Sequence, residues 1–448
     1  MVLKRLRSYD EKKQQKVPNL CAETIDLLKE KLGDKSFISK HKLSSKAFVR
    51  NRKLPFKTII LFILNILNSS LQQELDEFFK IFRNKELPEK EVTKSAFSQA
   101  RKKLNYTAFI ELNRECVNHF YVNSNYLLWN GFRLVAYDGT RINIPKNPET
   151  IQYFGEQKTS EKAEGYIIAI GSQSYDVLND ITIDSIIAPL SVGEHSLAVK
   201  HCNFLKENDL VLLDRGYPAH YLFAKILSLN ADFCARVQIS GWKIVDDFMK
   251  SGKKEEVVEL SASYKSKKKC KELSLSANPI KVRLILIELE TGENEVLITS
   301  LTDTEKYNYA IFQELYHLRW GIEESYKKLK LRCELENFSG KSVLSIKQDF
   351  YAKILMLNLT ALFVFSSRAE VEKKTENLKH DYKINWAQAI GKMKNNFLYL
   401  FIKESVEDFA QKIQNLIMEN LCPIRPGRSN PRNHRSCRKY YYCYKPNI

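Results

Sequence analysis

Apolar positions recur at helical spacing through Ala22–Leu32, Phe56–Leu71 and Leu75–Phe82, which predicts a mainly helical segment over residues 1–130. Thr93 then stands where an N-cap belongs, and Ala96, Phe97, Ala100 and Leu104 form one apolar stripe behind it. Ser98, Arg101 and Lys102 face elsewhere, so this short helix reads either as a reader of a DNA groove or as a solvated surface helix. From residue 131 the period changes. Phe132–Tyr137, Tyr166–Ile170 and Ile181–Ala188 read as strands, the last two separated by the turn residues Asn179 and Asp180. Glu194–Leu205 suits a helix, Leu210–Leu213 a fully apolar strand, the stretch from Pro218 to about Leu229 a helix, and Phe233–Val237 a fifth strand. The order β-β-β-α-β-α-β predicts a mixed sheet flanked by helices. Residues 238–280, with Gly241, Gly252 and two Lys runs, break that pattern and read as an inserted β-rich or loop segment. Val282–Leu289 and Glu295–Leu301 resume as strands. Asp303 or Thr304 caps a long helix reaching about Leu331, and 342–366 and 385–418 are helical. The expected organisation is therefore a helical region over 1–130, an α/β core over 131–370 with its insertion at 238–280, and C-terminal helices with a basic tail over 371–448.

The two longest apolar stretches, Thr58–Leu67 and Ile354–Phe365, fall short of the roughly 18–20 residues that span a bilayer. Each contains an asparagine, Asn65 or Asn358. Both are expected to be core helices, with no membrane partner.

Charge adds a partner class. The formal net charge is +18, unevenly spread: residues 1–130 hold 25 basic and 14 acidic side chains, 131–419 hold 39 of each, and 420–448 hold seven basic and none acidic. Two basic ends around a neutral centre favour a polyanion, nucleic acid first and an anionic membrane surface second; solvated lysine faces are the plain alternative. The tail interleaves arginines, Arg428 and Arg432 among them, with Tyr440, Tyr441, Tyr442 and Tyr444, a combination that suits nucleic acid. Nine cysteines without a CxxC pair argue against a disulfide framework or zinc ribbon and for a reducing, cytoplasmic setting. No apolar run marks a signal peptide in MVLKRLRSYD.

Candidate chemistry begins with Asp138 and Asp214, each leaving an apolar strand. They read either as turn residues or as site acids at strand ends, where α/β sites gather. Tyr316, Arg319, Glu323 and Lys330 fall within roughly 60° of arc on one helix at about 100° per residue. An aromatic, a cation, an anion and a cation make a poor core face. The stripe is either a salt-bridged surface or a site in which the acid binds metal and the cations hold phosphate. Three carboxylates from two strands and a helix are what a two-metal phosphoryl-transfer site requires, and Mg2+ takes such oxygen ligands. No GxSxG, Walker A or HExxH motif offers another chemistry.

Tyr316-x2-Arg319-x3-Glu323-x6-Lys330, with Arg319-Trp320-x-Ile322-Glu323-Glu324 around it, resembles the signature of DDE transposases of the insertion sequence 4 family. Asp138-Gly139-Thr140 and Asp214-Arg215-Gly216-Tyr217 resemble that family's two acidic motifs. The 109 residues from Asp214 to Glu323 suit its β-rich insertion. The resemblance implies an RNase H-like catalytic core, preceded by a helical DNA-binding domain, with Asp138, Asp214 and Glu323 as catalytic carboxylates holding two Mg2+ or Mn2+ ions. It implies DNA contacts through Tyr316, Arg319 and Lys330, with Arg215, the Ser98 helix and the basic tail as further candidates. It also implies a bacterial, nucleoid-associated transposase that binds terminal inverted repeats, cleaves strands to leave 3′-OH ends and joins them to target DNA, as a homodimer on double-stranded DNA. The rivals are a decayed or domesticated DNA-binding relative and a nuclease without strand transfer. Some family members hold a flipped base with a tryptophan from the insertion; here Glu295–Leu301 has none, and Trp242 and Trp320 are the nearest.

Overall fold

The computed structural model describes residues 19–425, apart from 51–52, 66–68, 162 and 289–291. The described chain forms two compact units. One comprises Tyr126–Thr140 and Ile170–Ser325; the other comprises residues 19–125, Arg141–Ala169 and residues 326–425. Helices from both ends of the chain thus share the second unit.

The first unit is built on an eight-stranded sheet: β1 (Arg133–Ile144), β2 (Ile167–Asp176), β3 (Ile181–Pro189), β4 (Asp209–Leu213), β5 (Asp232–Val237), β6 (Glu255–Leu260), β7 (Ile280–Glu288) and β8 (Asn294–Thr299). Their spatial order is β3-β2-β1-β4-β5-β8-β7-β6. β1, β4 and β5 are parallel, whereas β5, β8, β7 and β6 pair antiparallel. β2 and β3 are neighbours joined by four residues, a link short enough to make them a hairpin. The result is a mixed sheet with flanking helices, as the order of elements predicts. From Leu210 onward β4 is apolar because a central parallel strand is covered on both faces, and all five of its residues, Asp209 included, are buried. β6 lies at the opposite extreme, a charged edge strand reading Glu-Glu-Val-Val-Glu-Leu with only Leu260 buried.

The register of β1 on β4 is set by a buried ion pair. Arg133 is the register partner of Asp209, and their side chains meet at 2.6 Å while only 4% and 2% exposed. A slip of one residue would bury both charges unpaired and turn every side chain to the other face. The ladder then runs to Tyr137 opposite Leu213.

Three local differences from the sequence expectation have clear causes. β1 does not end at Tyr137 but continues to Ile144, with Ile142 and Ile144 buried; Asp138-Gly139-Thr140 is strand, not turn. Segment 238–280 contributes one strand, β6, and also two helices, Lys243–Ser251 and Tyr264–Glu272. The second is lysine-rich and shows little apolar period, but Ser263 caps it by accepting from the Ser266 N–H, and Cys270 is its buried anchor. The helix expected from Asp303 to Leu331 is segmented: Ile311–His317, a 3-10 turn Leu318–Trp320, Gly321–Lys327, and a π-helical turn Lys328–Arg332. Asp303 caps only a turn, accepting from the Glu305 and Lys306 N–H groups.

In the second unit the centre is the 33-residue helix Val343–Thr375. Its middle is apolar on every face, the pattern of a helix surrounded by others, and it packs on Thr107–Asn123 among others. Asn358, the polar interruption in its apolar stretch, is buried and donates to Asn113 Oδ1 at 2.7 Å. By length and composition this helix could cross a membrane, but its most apolar window is 89% buried within the protein, as befits a core helix.

Candidate active site

Asp138 and Asp214 are the first residues beyond the last register pair of two adjacent parallel strands. Neighbouring strands lie about 4.8 Å apart, so the β1–β4 ladder delivers two carboxylates side by side. Asp138 Oδ1 accepts from the Gly139 N–H at 2.8 Å. Its own carbonyl accepts from the Ser172 hydroxyl at 3.4 Å. Ser172 is part of a buried relay: it pairs with His201 Nε2 at 2.9 Å, and His201 Nδ1 pairs with Asp184 at 2.7 Å. His201 is therefore an internal strut, not a ligand.

The helical segments of Ile311–Lys327 bring in the remaining groups. The Tyr316 hydroxyl makes long 3.4 Å contacts with the Leu213 carbonyl and with Asp214 Oδ1. Arg319 is 4% exposed. Its guanidinium lies over the Tyr316 and Trp320 rings and donates to Glu323 Oε1 at 3.0 Å; its Nε is buried without a partner. Asp138 feels the other two acids. Burial pushes the Asp138 carboxyl up to about 7; the Gly139 N–H and Arg319 oppose that rise, while the Glu323 and Asp214 charges add to it. Burial also raises the Tyr316 hydroxyl well above its ordinary range.

The structure thus gathers Asp138, Asp214, Glu323, Tyr316 and Arg319 in the first unit. Arg215 is exposed next to Asp214. Lys330 belongs to the second unit, in the π-helical turn. There its Nζ donates to the Arg141 carbonyl at 2.6 Å and lies 3.9 Å from Glu336. The four signature residues do not share one continuous α-helix, because a 3-10 turn and a π-helical turn interrupt it.

One candidate is corrected. Arg101 is 4% exposed and is spent on internal partners: Gln348 at 2.8 Å, Ser339 at 2.8 Å, the Ser345 carbonyl at 3.2 Å and Asp349 at 2.9 Å. It holds the Lys94–Arg101 helix to the Val343–Thr375 helix and faces no groove. Ser98 is half-buried and donates to the Lys94 carbonyl; Lys102 is exposed. The open face of this helix instead lines a cleft of about 720 Å³ with Thr93, Gln99 and Lys103, across from Lys46, Arg50 and Lys53. Arg428 and Arg432 lie outside the described residues.

Two groups escaped the sequence reading. Arg236, on β5, sits 3.4 Å from Asp214 and also pairs with Glu295; an arginine inside an apolar strand was the available signal. Glu194 is the other: its carboxylate lies against Gly139 and Gly216.

Among the described residues no group of three or more His, Cys, Asp or Glu side chains forms a ready-made ion cage. Arg319 and Arg236 each hold one of the acids. The donor set nevertheless fits a hard divalent cation, since carboxylate oxygens on a rigid strand edge are its preferred ligands.

The chain is similar to several known proteins. A solved structure, the piggyBac transposase synaptic complex with hairpin DNA, aligns over 93% of this chain and 88% of that one, at a TM-score of 0.45 and 10% identity. The transposase InsG for insertion sequence element IS4 of Escherichia coli (strain K12) is 24% identical over 297 residues, which are 64% of this chain and 63% of that protein. The match therefore spans less than two thirds of that relative. A family model described as the transposase DDE domain matches residues 129–359, a stretch that contains Asp138, Asp214, Glu323 and the whole eight-stranded sheet. The chain belongs to the transposase DDE domain family, with its similarity to the IS4 protein in keeping with the insertion sequence 4 signature.

Proposed function

We propose that this protein is a cut-and-paste transposase, which binds the terminal inverted repeats of its element, cleaves a strand at each end to leave a 3′-OH, and transfers that end into target DNA. The observation that carries the reading is the placement of Asp138 and Asp214 at one strand edge, with Glu323 close enough for its charge to act on Asp138. Asp138, Asp214 and Glu323 would hold Mg2+ or Mn2+, whose Lewis acidity would polarise the scissile phosphate. The chain's own groups supply the rest. Arg319 is a planar, buried fork suited to phosphate oxygens. Tyr316 offers a ring and a hydroxyl beside Asp214, and Arg215 and Lys330 add cations for the backbone. The helical regions and the basic tail would bind the element's ends as a homodimer on double-stranded DNA, in the bacterial cytoplasm.

The test uses purified protein, Mg2+ and DNA carrying the repeats that flank its gene. Wild type is expected to give 3′-OH ends and joined products. Asp138→Asn, Asp214→Asn and Glu323→Gln should each lose cleavage by several orders of magnitude while still shifting the DNA in a gel. A variant that cuts at the wild-type rate removes that residue from the site, and cutting without joining makes the protein a nuclease.

A further inference from the structure

Glu194 begins the helix Glu194–His201 and belongs to none of the signature motifs. Its carboxylate still touches both acidic ones. A Cβ at Gly139 would come 2.9 Å from Glu194 Oε1, and one at Gly216 would come 3.8 Å from Oε2. Gly139 directly follows Asp138, and Gly216 follows Asp214 by two positions. Neither glycine adopts a positive φ, so Gly139 is not serving a turn; what its missing side chain provides is room for this carboxylate. The next residue locks the arrangement. His195 Nε2 donates to the Gly216 carbonyl at 2.7 Å, and its Nδ1 pairs with the Tyr221 hydroxyl at 2.9 Å. The helix start is thereby pinned to the Asp214 loop.

An independent observation points to a ligand. The Tyr217 ring is 2% exposed, and its hydroxyl is buried without a hydrogen-bond partner. The negative charges acting on that hydroxyl are those of Glu194, Asp138 and Asp214. An unmade bond in such a place costs about 1–3 kcal/mol, and a carboxylate drawn toward this hydroxyl would complete it. The cations are also unequally shared. Arg236 pairs with Asp214 and Arg319 with Glu323, whereas among the described residues no cation lies within ion-pair distance of Glu194.

We propose that Glu194 is a fourth carboxylate ligand for a divalent cation at the Asp138–Asp214 strand edge, and that the Tyr217 hydroxyl is the positioning donor that orients this carboxylate shell. The inference rests on the reading of that edge as the metal site. Two adjacent strand carboxylates leave much of an oxygen coordination sphere unfilled, and Glu194 approaches from the helix side.

The experiment is Mn2+ binding to the full-length protein, followed by electron paramagnetic resonance and calorimetry, with a thermal melt of each variant. Glu194→Gln should weaken Mn2+ at least about tenfold, and Tyr217→Phe by a smaller factor. Gly139→Ala should shift affinity in the same direction as Glu194→Gln, because it displaces the carboxylate without removing its charge. Asp138→Asn is the reference for loss of the edge itself. Wild-type affinity in Glu194→Gln alongside loss in Asp138→Asn would exclude Glu194 and leave the strand-edge reading in place. No Mn2+ binding by the wild-type protein would overturn both.

Discussion

Arg101 and Arg319 are both buried cations, and their partners give them different work. Arg319 stacks on two rings, holds one acid, and keeps a buried Nε unpaired. Arg101 has every guanidinium nitrogen engaged. Replacing Arg101 by Ala strands Asp349 as a buried charge, and urea denaturation should show a loss of about 3–5 kcal/mol; a change under 1 kcal/mol would mean that the pair is not buried in solution. Part of this was legible in the sequence. The apolar stripe through Phe97 was, but Arg101, read as facing away from it, lies with its guanidinium 5.3 Å from that ring. Its partner Asp349 lies 248 residues away, a separation no local pattern can report. The acids divide in the same way. Asp138 and Asp214 were visible because each follows an apolar strand. Glu194 was not, because a glutamate in the first turn of a helix is an ordinary answer to the helix dipole.

At the scale of elements, the site depends on register. Arg133 precedes Asp138 by five residues, as Asp209 precedes Asp214, so the pair that aligns the starts of β1 and β4 also aligns the two aspartates. Arg133→Ala or Asp209→Asn alone should cost about 3–5 kcal/mol, whereas Arg133→Met with Asp209→Leu should recover most of that stability. Recovered stability without recovered cleavage would show the ion pair specifying register as well as stability; additive losses across the double mutant would discard the clamp. The strands and helices were largely readable from periodicity, within a few residues at their ends. What failed was the end of β1 at Tyr137 and the reading of Asp303–Leu331 as one helix. Composition there is compatible with either outcome, and tertiary neighbours decide between them.

For the whole molecule, charge is the property that sequence reports most directly. The tail beyond Arg425 carries six cations and no acid. Deleting 426–448 should flatten the dependence of log affinity on log salt by up to about five units; an unchanged slope would make the tail a bystander in DNA binding. What sequence does not report is how the chain is shared out. The second unit joins helices from before residue 126 to helices from after residue 325. The partner of Thr107–Asn123 is Val343–Thr375, which begins 220 residues after Asn123. At ordinary ribosomal speeds that wait lasts roughly 10–45 s. Throughout it the nascent chain carries apolar helix faces with nothing to cover them. A message cut short before Val343 therefore yields no smaller working version of the protein, only a client for chaperones and proteases, and a gene that has lost its last quarter is silenced at the level of folding before its chemistry is ever called upon.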